Sequence, residues 1–298
     1  MRKSIERLRE SRLAVAGIPY LWVGLFFLLP FFLIFKISLS ESVYDAPPYL
    51  PIFHWASDQV LTITLHVRNY MQIFEDKLYF YAFGQSIMMA GLGTLGCLLI
   101  GYPMAYGISK TRQPVRTILL LLIILPFWTS FLIRVYAWIG LLGTKGVINN
   151  VLLYLGIIQQ PLEILYNRFS MFIGIVYSYL PFMIMPLYAS LEKMDTSLLE
   201  AAEDLGASPL RAFLKITLPL SMPGVVVGSM LVFIPAVGEV VIPELLGGPE
   251  NVMIGRVLWG EFFDNQDWPI ASAIAIVLLL ILVVPMIFLQ RMQLREER

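Results

Sequence analysis

The sequence predicts an all-α membrane protein with six transmembrane helices and both termini in the cytoplasm. Three observations predict it. The first is composition: apolar types make up 58% of the 298 residues and charged types only 14%, where a soluble domain carries about 25% charged residues. A soluble chain of this length could not hide so much apolar surface in one core. The second is the spacing of the charges, which leaves charge-free runs at Leu13–Phe35, Leu78–Ser109, Thr117–Ile133, Phe169–Leu191, Ile216–Gly238 and Trp268–Gln290. A membrane helix needs about 20 largely apolar residues. Strands of a membrane β-barrel need only about ten and alternate in polarity, so these long, uniform runs are helices. The third is the distribution of basic residues about the runs.

Taken in order, the expected spans are 14–35, 82–108, 117–142, 169–189, 225–243 and 270–289. The third run resumes beyond Arg134 as far as Gly143. Prolines 30, 103, 126, 181, 186, 235 and 285 fall inside spans. Membrane helices tolerate them because neighbours satisfy the freed carbonyls. The N-terminal tail holds five basic residues (Arg2, Lys3, Arg7, Arg9, Arg12), and the 109–116 turn holds Lys110, Arg112 and Arg116. The 190–224 segment holds Lys193, Arg211 and Lys215, and the C-terminal tail Arg291, Arg295 and Arg298. The opposite loops hold only Lys36, Arg68, Lys77, Lys145, Arg168 and Arg256. Basic residues accumulate on the cytoplasmic side. The resulting organisation is a cytoplasmic tail at 1–13, a six-helix transmembrane domain at 14–289 and a second cytoplasmic tail at 290–298.

Several classes are excluded or disfavoured. Lys plus Arg and Asp plus Glu both number 21, so no charge excess points to nucleic acid. One cysteine, Cys97, rules out an internal disulfide and a cysteine-rich metal cage. His54 and His66 lie twelve apart in an outer loop and read as exposed rather than metal-binding. No small-residue cleavage pattern marks a signal peptide. The spans lack the paired histidines or carboxylates that a membrane enzyme needs, and no Gly-Lys-Ser or Gly-Lys-Thr phosphate loop is present. The outer segment 244–269 is acidic, with Glu244, Glu250, Glu261, Asp264 and Asp267 against Arg256. It is either a solvated loop or a face that concentrates cations near an entrance.

The most informative segment is 192–224. Leu198, Leu199, Ala202 and Leu205 fit one helical stripe, with Glu200, Glu203 and Asp204 acidic. Gly206 suits a left-handed helix end. Ser208-Pro209 is a cap followed by proline at the first helical position. Leu218-Pro219 and Pro223-Gly224 then redirect the chain into the fifth span. A cytoplasmic loop so ordered reads as a docking surface or as an amphipathic linker on the membrane.

Glu200-Ala201-Ala202, then Gly206, then Ile216-Thr217-Leu218-Pro219, resembles the EAA signature of the inner-membrane subunits of binding-protein-dependent ABC importers. Further stretches resemble the polyamine branch of that family: Gly101-Tyr102-Pro103, Leu125 to Thr129, Leu132 to Tyr136, Leu180 to Tyr188, Asp204 to Ser208 and Val241 to Pro249. The choice of putrescine over spermidine rests mainly on residues 239–249. The resemblance implies a type I permease fold with a cytoplasmic coupling helix in the cell inner membrane. Glu200, Ala201, Ala202, Gly206, Leu218 and Pro219 would couple to a cytoplasmic ATPase. It further implies two ATPase subunits that use ATP and Mg, a second homologous permease chain and a periplasmic polyamine-binding protein, with no cofactor on this chain. Another solute, a secondary transporter and a membrane enzyme are the competing readings.

Inside the spans the sequence places one acid, Glu239, and one base, Arg134. Buried ionisable groups tend to face a cavity or a partner. Glu239, with Glu244 beyond it, is a candidate for a cation route. It could equally form a structural pair with Arg134 or a partner chain, or sit exposed near the outer end. Arg134 would repel a cation and reads as a structural or gating residue. Trp128, Tyr136 and Tyr177, with Trp138 and Tyr179, could offer rings to an ammonium group. Packing or interface anchoring competes for each. Gly91, Gly93, Gly96 and Gly101 favour close helix contact.

Overall fold

The computed structural model describes residues 17–57, 60–195 and 197–296. The expected tail at 1–13, and residues 297–298 of the other tail, lie outside them. The chain is an α-helical, multi-pass membrane fold. Among the described residues, five helical stretches are long and apolar enough to cross a bilayer: Gly17–Ser38, Lys77–Lys110, Phe131–Tyr154, Arg168–Glu192 and Pro209–Val237. Val115–Trp128 and Trp268–Val284 are apolar but shorter. The helices are α1 Gly17–Ser38, α2 Arg68–Glu75, α3 Lys77–Lys110, α4 Val115–Trp128, α5 Phe131–Leu142, α6 Val147–Tyr154, α7 Arg168–Glu192, α8 Ser197–Asp204, α9 Pro209–Val237, α10 Ile254–Trp259 and α11 Trp268–Glu296. The chain divides into two compact units, residues 1–77 with 258–298 and residues 78–257.

In the first unit α1 and α2 pack on α11. The segment after α1, expected as an outer loop, contains a hairpin of strands β1 Phe53–Ser57 and β2 Val60–Ile63. The strands are antiparallel, with Phe53 opposite Ile63. The Asn69 amide donates to the carbonyls of Ser38 and Ser40, both at 2.9 Å. His66 Nε2 lies 3.3 Å from the Glu41 carboxylate.

The second unit is built around α7. Asn167 starts it by accepting the Phe169 and Ser170 N–H groups, while the Ser170 hydroxyl accepts the Asn167 N–H in return. Met171, Ile175, Met183, Ile184 and Leu187 are fully buried. Small residues bring the neighbours close. A Cβ on Gly96 of α3 would sit 2.8 Å from Val176, and one on Gly101 would sit 3.1 Å from Met183. Gly93 also meets α7, at Ile175. Gly91 faces open space and takes no part. On α9, a Cβ on Gly224 would lie 2.8 Å from the Pro186 carbonyl oxygen, and one on Gly228 would lie 3.1 Å from that of Met183. This is the small-xxx-small spacing that lets membrane backbones approach. Gly224→Val should therefore cost about 1–3 kcal/mol by overpacking. It should lower the thermal midpoint of the purified chain, while Gly91→Val leaves it unchanged.

Two expected spans change. The third, expected as one helix over 117–142, breaks at Thr129–Ser130. Pro126 lacks an N–H and tightens Leu125–Trp128 into a 3₁₀ turn, after which Thr129 is extended. The fifth, expected at 225–243, runs from Pro209 to Val237 instead. Pro219 does not redirect the chain. A π turn at Phe213–Thr217 precedes it, with the Leu218 N–H donating to the Phe213 carbonyl. The wider turn removes the carbonyl clash that proline brings to a regular helix. The same device precedes Pro30, where the Leu29 N–H donates to the Gly24 carbonyl.

Candidate functional site: an exposed helical loop and a buried helix break

The loop after α7 has the expected helix–turn–helix form. The Asp195 carboxylate accepts the Ser197 N–H at 2.9 Å and so fixes the start of α8. At the other end the Gly206 N–H donates to the Glu203 carbonyl and the Ala207 N–H to the Ala202 carbonyl, both at 2.9 Å. That is the Schellman pattern, and it needs the left-handed backbone that Gly206 adopts at φ +77°. Ser208 takes the cap position and Pro209 the first helical position, but the Ser208 side chain makes no capping bond.

No residue of α8 is buried. Leu205 is 89% and Leu210 68% exposed, and Glu200 and Ala201 face outward. A cleft of about 340 Å³ between α8 and the start of α9 is lined by Glu200, Glu203 and Phe213 among others. The rings of Tyr102 and Tyr106 on α3 both meet Phe213 edge-on, at 5.6 and 6.0 Å. The Tyr102 hydroxyl also lies 2.7 Å from the Ser221 hydroxyl. The loop thus presents an apolar and acidic surface while its second helix, continuous with a membrane span, is clamped to α3. Phe213 and its two tyrosines were not singled out as functional from sequence. An aromatic one helical turn from Pro209 was the available signal.

The Ser197 N–H bond holds the Asp195 carboxyl below its ordinary pKa. A depressed carboxyl stabilises the fold above its unfolded pKa and loses that contribution as pH falls through the lower folded value. The protection of the α8 amides, measured against the intrinsic exchange rate at each pH, should therefore fall on acidification through that range, and Asp195→Ala should show the lower protection already at neutral pH.

The second feature lies at the end of α9. Glu239 falls one residue beyond the C-cap Gly238, so it stands at a helix break rather than inside the expected span. It is only 8% exposed. Its Oε1 accepts the N–H groups of Val240, Val241 and Ile242 at 3.2, 3.0 and 3.4 Å. Its Oε2 accepts the Tyr179 hydroxyl. A carboxylate thus caps the helical turn 241–247. Gly255 of α10 fits against the same break, where a Cβ would lie 2.7 Å from the Glu239 carbonyl oxygen. Tyr179 is eleven residues into the 25-residue α7, so the pair lies near the middle of that helix.

The other candidates are dispersed. Arg134 forms no ion pair with Glu239. Its guanidinium lies 4.8 Å from the Phe127 ring centroid, and Nε and Nη1 are buried with no hydrogen-bond partner. Glu244 is exposed and ion-paired with Arg256. Tyr177 packs edge-on to Trp138 at 5.3 Å. It borders a cavity of about 500 Å³ between α3, α4 and α7. Trp128 is 78% and Tyr136 57% exposed, on either side of the Thr129–Ser130 break. Among the described residues no group of three or more His, Cys, Asp or Glu could hold a metal ion.

Residues 97–295 match the family described as binding-protein-dependent transport system inner membrane component. The chain is 46% identical over 214 residues to the spermidine/putrescine transport system permease protein PotB of Escherichia coli (strain K12), covering 72% of this chain and 78% of that protein. It is 39% identical over 264 residues to the protein of that name from Haemophilus influenzae, covering 87% and 86%. A chain of the crystal structure of a bacterial alginate ABC transporter, in complex with an alginate pentasaccharide-bound periplasmic protein, shares the fold. Its TM-score is 0.70 at 19% identity, over 99% of this chain and 98% of that one. The chain belongs to the binding-protein-dependent transport system inner membrane component family, as a PotB-like permease subunit of the inner membrane and not a catalytic enzyme.

Proposed function

We propose that this chain is one of two permease subunits in an ATP-driven, receptor-dependent importer, and that it moves putrescine into the cytoplasm by alternating access. The exposed α8–Gly206–α9 joint carries this reading. Coupling to a motor needs a rigid element that both partners share. Here a capped helix with no buried residue is joined through Gly206 to a second helix that runs unbroken into a membrane span. Glu200, Ala201, Ala202 and Gly206 form the face offered to the ATPase. Leu218 and Pro219 lie just beyond the π turn, where a push on the loop enters α9. Two ATPase subunits supply ATP and Mg chemistry, and a periplasmic polyamine-binding protein delivers the substrate. Six spans within 14–289, cytoplasmic tails at 1–13 and 290–298 and the coupling loop 192–224 complete the organisation.

The substrate class rests on the similarity to proteins named for spermidine and putrescine transport. Within the spans the route follows the surface of Trp128 and Tyr136. Non-helical backbone at membrane depth is tolerated only against protein or a water-filled cavity, and Thr129–Ser130 is exposed on this chain alone. Tyr177 and Glu244 are the remaining candidates for that route, the first packed on Trp138 and the second paired with Arg256. Glu239 holds the neighbouring helix break, and Arg134, with two buried guanidinium nitrogens that this chain leaves unbonded, is a structural or gating group.

The test is the complete assembly reconstituted in liposomes. ATP hydrolysis should rise with putrescine-loaded receptor, and less with receptor carrying spermidine. Stimulation by spermidine-loaded receptor above putrescine would transfer the assignment to spermidine. Silence to both, with a response to another loaded receptor, would overturn the polyamine class and keep the importer.

A further inference from the structure

The cavity of about 500 Å³ between α3, α4 and α7 is apart from both the coupling loop and the Glu239 break. We propose that it holds one acyl chain of an anionic phospholipid whose phosphate sits on the basic turn at 110–112.

The lining excludes other occupants. Met104 and Gly107 of α3, Leu122 of α4, and Leu180 and Ile184 of α7 are apolar, and Tyr177 supplies the polar side chain. An apolar cavity stays dry. A dication would lose its water and find no carboxylate there. A partner helix about 10 Å across would fit only about one turn into this volume. An unfilled space would forfeit the dispersion contacts of its walls. A slender acyl chain satisfies all four conditions.

The cavity also lies at the right depth beside the right charge. Along α4 it extends from Leu119 to Pro126, about 6 to 17 Å from the helix start at 1.5 Å per residue. One leaflet of hydrocarbon is about 15 Å thick. At the same end the turn between α3 and α4 carries three cations. Arg116 is engaged by Glu192 and by the carbonyls of Thr111 and Ser109. Arg112 is exposed and forms no ion pair among the described residues. Lys110 is exposed, with Nζ 5.6 Å from the Tyr106 ring centroid. A phosphate at Lys110 and Arg112 would place its acyl chain over the cavity mouth. The chain would then wedge three helices that each bring a proline to the cavity: Pro103, Pro126 and Pro181. Naming the leaflet as cytoplasmic rests on the orientation proposed above, but the site itself does not.

The test uses the full transporter in nanodiscs containing phosphatidylglycerol or phosphatidylcholine with a photoactivatable acyl chain. Adducts are mapped by mass spectrometry. Met104 and Leu122 should be labelled several-fold more than Leu99, an exposed residue of α3 outside the cavity. Phosphatidylglycerol should exceed phosphatidylcholine by about fivefold per cation engaged. Gly107→Phe should cut labelling at Met104 and spare Leu99, because a Cβ at Gly107 meets no atom within 4 Å and the ring enters open space. Leu122→Trp gives the same readout should that variant fail to assemble. Arg112→Glu should remove most of the headgroup preference and leave chain labelling in place. Labelling at Met104 equal to that at Leu99, insensitivity to both cavity-filling variants, equal labelling by the two lipids, or crosslinks from a second permease chain in place of lipid would each overturn the proposal. Labelling is read without substrate or ATP, so failure of the lipid site and failure of the transport reading are separate results.

Discussion

Gly206→Pro should reduce receptor-stimulated ATP hydrolysis and uptake at least tenfold in the reconstituted assembly. The expected size follows from how little else holds α8 in place. The helix has eight residues and none is buried within the chain, and isolated helices of that length are marginal in water. Its order therefore rests on its ends. Proline at 206 cannot adopt φ +77°, and it removes the N–H that bonds the Glu203 carbonyl. The cost is above the ~1–2 kcal/mol of an ordinary residue forced into the left-handed region. A factor of ten in docking needs only about 1.4 kcal/mol. Gly206→Asn should retain most activity, because asparagine visits that region readily. The spans should keep their helix content in both variants, since the joint is exposed and the α7–α9 contacts lie elsewhere. Amide exchange over 197–207 would show the loss directly in the proline variant. Full coupling by that variant, with α8 frayed, would remove the loop from the coupling path.

Much of this fold could be read from sequence because the membrane imposes simple demands. Length and apolarity placed α1, α3, α7 and α11 to within a few residues at most ends. The helix stop at Gly206 was legible because glycine adopts its φ without the Cβ strain that most residues meet there. The glycines at 93, 96 and 101 were legible as contact points, although nothing in the pattern separates them from Gly91, which faces open space. What escaped depends on backbone accommodation. A proline signals a disturbed helix but not its resolution. Pro126 ends α4 in a 3₁₀ turn, whereas Pro219 is absorbed by a π turn and the helix continues. The two outcomes look alike in sequence and differ in whether a loop is mechanically joined to a span. The hairpin 53–63 was hidden for a different reason: short strands in a polar outer segment carry little periodicity. Glu239 was found as a lone acid, but its role depends on three backbone N–H groups freed by the end of α9, which no residue pattern announces.

Glu239→Ala should prevent stable accumulation of the chain in the membrane, whereas Glu239→Gln should assemble. Alanine leaves the N–H groups of Val240, Val241 and Ile242 and the Tyr179 hydroxyl without the acceptor they share. Each unsatisfied buried group costs about 1–3 kcal/mol, and hydrocarbon offers no water in exchange. Glutamine keeps one oxygen, which can serve the three N–H groups, while its NH₂ cannot accept from the tyrosine hydroxyl and can only donate to it. Tyr179→Phe deletes that bond from the other side. If the pair only holds the break, Glu239→Gln and Tyr179→Phe should lower the thermal midpoint by similar amounts and transport about as much as wild type. The double variant should then be little worse than either single one, the non-additivity of residues that share one interaction. If the carboxylate instead attracts the cation, Glu239→Gln should assemble well and transport nothing. Glu239→Asp should then retain uptake, and Tyr179→Phe should leave it intact. The geometry favours the first outcome: both oxygens are already occupied, and a cation arriving at Glu239 would have to displace donors that the end of α9 cannot otherwise satisfy.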